Sequence, residues 1–194
     1  MNWLPIKAPE VYWQATWPSI YQRCFSLEDG SSLFADSMQL SNSDAETESI
    51  GAEILRNCLK IFGSNALITL EGPLGAGKTT LVRGMLRSLG YEGPVKSPTF
   101  TLLENYVLTD PSLIIYHFDL YRILDELELE FIGLEEILDS DGIKIFEWPD
   151  RASNFLMLPR IRVTLDAPTV SVSEQRKLEL ERTISVCFLE DTQN

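Results

Sequence analysis

Hydrophobic positions along this chain follow two periods, one helical and one of strands. In "SNSDAETESIGAEILRNCLKIF", residues 41–62, Ile50, Ile54, Leu55, Cys58 and Leu59 recur at helical spacing. Ser43 or Asp44 stands where a cap belongs, with Glu46 or Thr47 following, so a helix is expected there. "ALITLEG" is a short, almost unbroken apolar run of the kind buried on both faces of a sheet. A second helix is expected from Lys78 to Leu89, stopping at Gly90. "SPTFTLLENYVL" and "SLIIYHFDL" read as strands around an Asp110-Pro111 turn, and "GIKIFEW" as a further buried strand. In "DELELEFIGLEEIL" a continuous helix would put Leu127, Phe131, Leu134 and Leu138 on one face. "RIRVTLDAP" and "RKLELERTISVCF" alternate as an antiparallel pair. The order predicts an α/β fold, a mixed β-sheet flanked by helices with a C-terminal antiparallel hairpin.

Composition narrows the function classes. The chain has 194 residues, 44% of them hydrophobic, enough for one well-cored domain. With 16 Lys+Arg against 29 Asp+Glu, the net charge is −13, so a polyanion is repelled at long range. Direct grip on nucleic acid would call for a basic patch, and any contact with RNA is expected to come through a partner. Cys24, Cys58 and Cys187 lie far apart with no metal-like spacing, which fits thiols in a reducing compartment. No apolar run approaches the roughly 20 residues of a membrane span, and the N-terminus lacks a secretory leader. A cytoplasmic protein is expected. Residues 1–38 differ in character, with Trp3, Tyr12, Trp13, Trp17, Tyr21 and Phe25 among prolines and no helical period. The expected division is an aromatic-rich extension, 1–38, and the main domain, 39–194.

The chemistry starts at Gly72-Pro73-Leu74-Gly75-Ala76-Gly77-Lys78-Thr79, which fits GxxxxGK[ST] between an apolar strand and a helix. Average composition yields such a match on the order of once per hundred chains of this length, and the strand-to-helix setting makes chance rarer still. Glycines let backbone N–H groups turn inward and meet phosphate oxygens closely. Lys78 is placed for the β- and γ-phosphates, and the Thr79 hydroxyl for magnesium. The start of the following helix adds its positive end.

A magnesium-nucleotide site also needs acids. Asp119 closes the "LIIYHFDLYR" strand, where P-loop enzymes hold the metal directly or through water. Glu147 closes the "GIKIF" strand; it reads equally as a metal ligand or water-orienting group and as a surface glutamate before the Pro149 turn. Trp148 reads as a core anchor, a lid or a docking residue. Ser97, Thr99 and Thr101 of "KSPTFT" read as phosphate-sensing hydroxyls or as an ordinary proline-containing turn. His117, the single histidine, shares a strand face with Asp119 and reads as a hydrogen-bonded structural residue rather than a general base.

Taken together, "GPLGAGKTTLVRGML", "VKSPTFTL", "YHFDLYR", "ELEFIGLEEIL" and "FEWPDR" closely resemble the TsaE (YjeE) family over about residues 40 to 190. That family is the P-loop ATPase of bacterial threonylcarbamoyladenosine synthesis in tRNA. The resemblance implies a P-loop NTPase-like fold, ATP and Mg2+ as cofactors, and work alongside the catalytic TsaD and its companion TsaB, touching tRNA only through that complex. Hydrolysis would support repeated turnover of the complex, weakly alone and better with partners. It implies that Lys78, Thr79 and Thr80 lie at the phosphates together with Gly72, Gly75, Ala76 and Gly77, with Thr79 on magnesium. Asp119 and Glu147 fill the family's acidic positions and Trp148 its tryptophan, while Ser97 to Thr101, Thr99 included, match a switch-like segment. Thr47 and Arg176 look like family positions close to the nucleotide. The family usually carries an acidic or polar residue where Pro73 stands. Two other readings stay in play: a small-molecule P-loop kinase, for which no acceptor motif is evident, and a nucleotide-binding scaffold that needs no hydrolysis.

Overall fold

The apolar run after Asn65 becomes β2 (Leu67–Glu71), whose middle three residues are buried. The computed structural model describes residues 37–109, 112–156, 160–172 and 178–189. The aromatic extension up to residue 36, the Asp110-Pro111 turn and Arg176 lie outside the described residues. The other strands are β1 (Ser37–Ser41), β3 (Leu103–Thr109), β4 (Ser112–Asp119), β5 (Ile143–Glu147), β6 (Arg160–Leu165), β7 (Thr169–Val172) and β8 (Leu178–Leu189). They form an eight-stranded sheet in the order β1-β8-β6-β2-β5-β4-β3, with β7 paired to β8. β2 lies parallel to β5 and β6, and β4 parallel to β5. β3 runs antiparallel to β4, and β8 antiparallel to β6. The sheet is therefore mixed and flanked by helices, as the pattern of the sequence implies.

The first helix, α1 (Asp44–Phe62), starts where a short polar side chain can satisfy an orphan amide: Ser43 Oγ accepts from Glu46 N at 3.2 Å. Glu46 reaches back to accept from Asn42 N at 2.7 Å. Gly63, at φ 66°, ends the helix with its N–H on the Leu59 carbonyl. The second, α2 (Lys78–Ser88), is followed by Leu89 and by Gly90 at φ 80°. The two helices meet backbone to backbone. A Cβ on Gly51 would fall 2.2 Å from Leu81 O, and one on Gly84 would fall 2.0 Å from Glu48 O. Only glycine permits this approach, and it fixes how α2 stands on α1.

Alternation along the strands separates two faces. On one, Phe118 and Phe146 stack with ring centroids 4.5 Å apart and planes 5° apart. Leu120, Ile123, Leu129, Leu134, Ala152 and Leu156 complete that cluster. On the other face, His117 and Glu147 point toward the start of α2, where Thr79 meets Glu147.

Three expectations are corrected. The segment 127–139 is two short helices, α3 (Leu127–Phe131) and α4 (Leu134–Asp139), separated by Gly133 at φ 68°. The break resets the helical phase, so Leu129 and Leu134 are buried while Leu127 and Phe131 are 58% and 90% exposed. The strand expected from Ser97 begins only at Leu103, because Leu102 sits at φ 64° and its N–H bonds back to Pro98 O. Finally, β7 adds a short strand between the two expected hairpin strands. Among the described residues no helix is long and apolar enough to cross a membrane.

Candidate nucleotide site

Parallel pairing brings the carboxyl ends of β2, β4 and β5 level: Leu70 pairs with Glu147, and Glu147 with Asp119. The loop from Gly72 to Gly77 leaves β2 at that end, the position where α/β sheets bind ligands. Gly72, Gly75 and Gly77 adopt φ of 140°, 79° and 103°, which turns the peptide planes in a way side-chain-bearing residues resist. Space matters as well as conformation: a Cβ on Gly77 would lie 2.1 Å from Arg182 Nη1, whereas nothing lies within 4 Å of one on Gly75. α2 starts at Gly77 without a side-chain cap, so its first amides are not satisfied by a capping residue. Such a helix start suits an anion.

Lys78 is buried, and its Nζ donates to the carbonyls of Gly72 (2.8 Å) and Pro73 (2.9 Å). Pro73 therefore serves the loop through its carbonyl, which also accepts from Ala76 N at 3.2 Å. The ammonium also stands 4.3 Å from the centre of the Trp148 ring, a cation–π distance. Burial lowers the Lys78 pKa below its ordinary value, and the charges of Glu147 and then Asp119 pull it back up. Trp148 leaves β5 at φ 60° and stacks obliquely with Tyr121, centroids 5.0 Å apart.

The two acids are both buried and have different partners. Asp119 Oδ2 accepts from Thr99 Oγ1 at 2.7 Å and from Ser97 Oγ, while Oδ1 accepts from Tyr121 N at 3.1 Å. It thus ties the 97–99 segment to the end of β4. Thr101 bonds to Glu104 instead, at 3.1 Å. Glu147 Oε1 accepts from Thr79 Oγ1 at 2.9 Å and lies 3.0 Å from His117 Nε2. The surface-glutamate reading of Glu147 does not hold: it is 3% exposed and joined to the phosphate loop helix. Thr80 follows Thr79 on α2 and is half-buried. Thr47 lies in the first turn of α1, fully buried, its hydroxyl 2.7 Å from Ser41 Oγ and donating to Ser43 O.

Sequence reasoning missed Arg182. From β8 it crosses to the loop, where Nη1 donates to Ala76 O at 3.2 Å and Nη2 lies 3.7 Å from Asp44. A lone arginine in an alternating strand carries no local signal for this; only the β6–β8 register and the Gly77 contact reveal it. A cavity of about 430 Å³ opens beside Gly72, lined by Thr69, Trp148, Pro149, Asp150, Ser153 and Arg162 among others. By strand alternation Thr69 faces away from the His117–Glu147 pair, so the cavity is not the seat of that chemistry.

The residues present fit a magnesium nucleotide. Among the described residues no three His, Cys, Asp or Glu side chains gather as a self-sufficient metal site. Mg2+ does not require one, since it is held by one or two carboxylates plus phosphates and water. Thr79 and Glu147, whose side chains meet at 2.9 Å, bring a hydroxyl and a carboxylate together, the oxygen donors that such a cation takes. A glycine-rich loop opening a helix after a parallel strand, with buried acids at the neighbouring strand ends, defines a P-loop NTPase-like protein.

Comparisons then particularise the class. Residues 41–178 match the sequence profile of the family described as threonylcarbamoyl adenosine biosynthesis protein TsaE. The tRNA threonylcarbamoyladenosine biosynthesis protein TsaE of Haemophilus influenzae is 47% identical over 116 residues, 59% of this chain and 70% of that protein. Its namesake from Rickettsia conorii is 34% identical over 161 residues, 80% of this chain and 88% of that protein. A crystal structure of Bacillus subtilis YdiB superposes with a TM-score of 0.55 at 27% identity, covering 77% of this chain and 84% of the other. The chain belongs to the TsaE family.

Proposed function

We propose that this chain is a Mg2+-dependent ATPase subunit that supports turnover of the complex making N6-threonylcarbamoyladenosine in tRNA. TsaD- and TsaB-type proteins are its partners in this reading, and the strongly acidic chain meets tRNA only through them. The observation that carries the nucleotide part is the convergence of Thr79 and Glu147 beside a glycine loop whose lysine is buried. Family membership supports the pathway.

The division of labour follows from the contacts. Loop amides and the α2 start bind the phosphates, and Lys78 neutralises charge on the outer ones. Thr79 and Glu147 would hold Mg2+, which when bound polarises the phosphate and offsets developing negative charge. Asp119 keeps Ser97 and Thr99 at the site edge, where the segment would register loss of the outer phosphate. Trp148 shields Lys78 from water on its aromatic side.

Phosphate release from Mg·ATP, measured with and without both partners, tests this reading, alongside tRNA modification with limiting catalytic subunit. Hydrolysis should be weak alone and rise with partners, and modification should stall after about one turnover when the chain is left out. Multiple turnovers without it, or an unimpaired Lys78→Ala variant, would refute the proposal. Label appearing on an organic acceptor instead of as inorganic phosphate would move the chain to the kinases.

A further inference from the structure

The single histidine of the chain is fully buried, on β4, and its place there is chemical as well as structural. The register pairs His117 with Ile145 and Asp119 with Glu147. His117 is thus the diagonal neighbour of Glu147 across the parallel pair, within reach of a long side chain. Its Nε2 lies 3.0 Å from Glu147 Oε1. The Tyr106 ring is stacked alongside the imidazole, with centroids 6.3 Å apart and planes 27° apart. Nδ1 is buried and has no hydrogen-bond partner among the described residues.

These contacts say which ring nitrogen donates to Glu147. A carboxylate only accepts, so the nitrogen facing Glu147 carries the hydrogen. Oε1 of Glu147 thus receives two donors, the Thr79 hydroxyl and the His117 Nε2–H. Two donors from different elements fix the carboxylate in both position and rotation.

We infer that His117 is a positioning residue for Glu147: its Nε2–H pins Oε1 and presents Oε2 to the cation or to the water that attacks the phosphate. This inference rests on the nucleotide-site reading above and adds to it the residue that orients the acid. Outer hydrogen bonds of this kind typically change metal affinity or activity by about 10–100-fold when removed.

Because the chain has one histidine, protein labelled with 15N-histidine and carrying no histidine tag gives a single imidazole pattern. The expected pattern carries a hydrogen on Nε2; a ring whose Nε2 carries none overturns the inference without reference to activity. Two variants test the consequence. His117→Phe keeps a flat ring beside Tyr106 and removes the donor, whereas His117→Gln restores an N–H at similar reach. Binding of ADP is titrated with Mg2+ and, separately, with chelator. The Phe variant should lose about 10–100-fold in the Mg2+-dependent part alone, and the Gln variant should stay within about threefold of wild type. A Phe variant within about twofold of wild type, or a Gln variant as impaired as Phe, refutes the positioning role. If the Phe variant does not fold, the wild-type spectrum and the Gln variant still decide. Wild-type protein that takes up no Mg·ADP sinks the nucleotide reading itself, while normal wild-type uptake with an unaffected Phe variant sinks only the role of His117.

Discussion

Gly84→Ala should lower stability, although replacing a helical glycine by alanine ordinarily raises helix propensity by about 1 kcal/mol. Gly84 lies inside α2 at its crossing with α1, where a new Cβ would stand 2.0, 2.4 and 2.5 Å from the O, Cα and C of Glu48. Ordinary van der Waals contact starts at 3.4 Å. The obstacle is backbone, so no rotamer change relieves it, and the helices must part locally by more than about 1 Å. A gap of that order costs the facing side chains a quarter to a half of their contact attraction. Ile54, Leu55, Leu81 and Met85 are fully or almost fully buried and among those exposed to the loss. Overpacking at the upper end of its usual range, less the propensity gain, leaves a net destabilisation of about 2 kcal/mol. For a chain of this size that is a fall in Tm of roughly 4–8 °C. Urea titration and calorimetry read it directly. Gly51→Ala, 2.2 Å from Leu81 O, should behave alike, and the double variant should cost less than the sum because one separation serves both. An unchanged or higher Tm for Gly84→Ala would refute the claim that this crossing is set by backbone contact.

Phe146→Ala removes one ring of a fully buried stacked pair and should cost about 3–5 kcal/mol in denaturant unfolding; a loss below about 1 kcal/mol would deny the stack its place in the core. Burial pushes the Cys58 thiol from 9.0 up to about 12, so its stabilising contribution is complete below pH 9 and is lost as pH rises towards 12. That rise corresponds to about 4 kcal/mol, and the stability gap between wild type and Cys58→Ala should shrink steadily from pH 8 to pH 11; a constant gap contradicts it. Arg182→Ala leaves the Ala76 carbonyl without its guanidinium partner and should weaken Mg·ADP binding by about tenfold, with about 1–3 kcal/mol lost in stability; unchanged nucleotide affinity would show that the loop stands without it.

Much of this protein is local in its physics and so can be read from the chain. Ser43 caps α1, Gly63 and Gly90 mark helix ends, and the glycine loop announces a phosphate seat, because each depends on neighbours a few residues away. The largely apolar runs of β2 and β5 declare burial on both faces, and covering both faces takes flanking helices. Where one residue breaks the period, the reading fails: Gly133 splits the acidic helix, and Phe131 turns to solvent instead of to the core. Ser97 and Thr99 leave the strand because their hydroxyls are held by Asp119, a partner about twenty residues away that alternation does not reveal.

Sequence alone determined the phosphate loop, the two strand-end acids and the α/β order, since spacing along the backbone fixes them. Tertiary structure alone decided what each acid touches. Strand register, set by pairing between segments distant in the chain, carries Glu147 to Thr79 and His117 and leaves Asp119 to the switch-like segment. The same register brings Arg182 from the far hairpin onto Ala76. Hydrogen bonds act over about 3 Å, and residues a hundred positions apart come that close only when the sheet assembles.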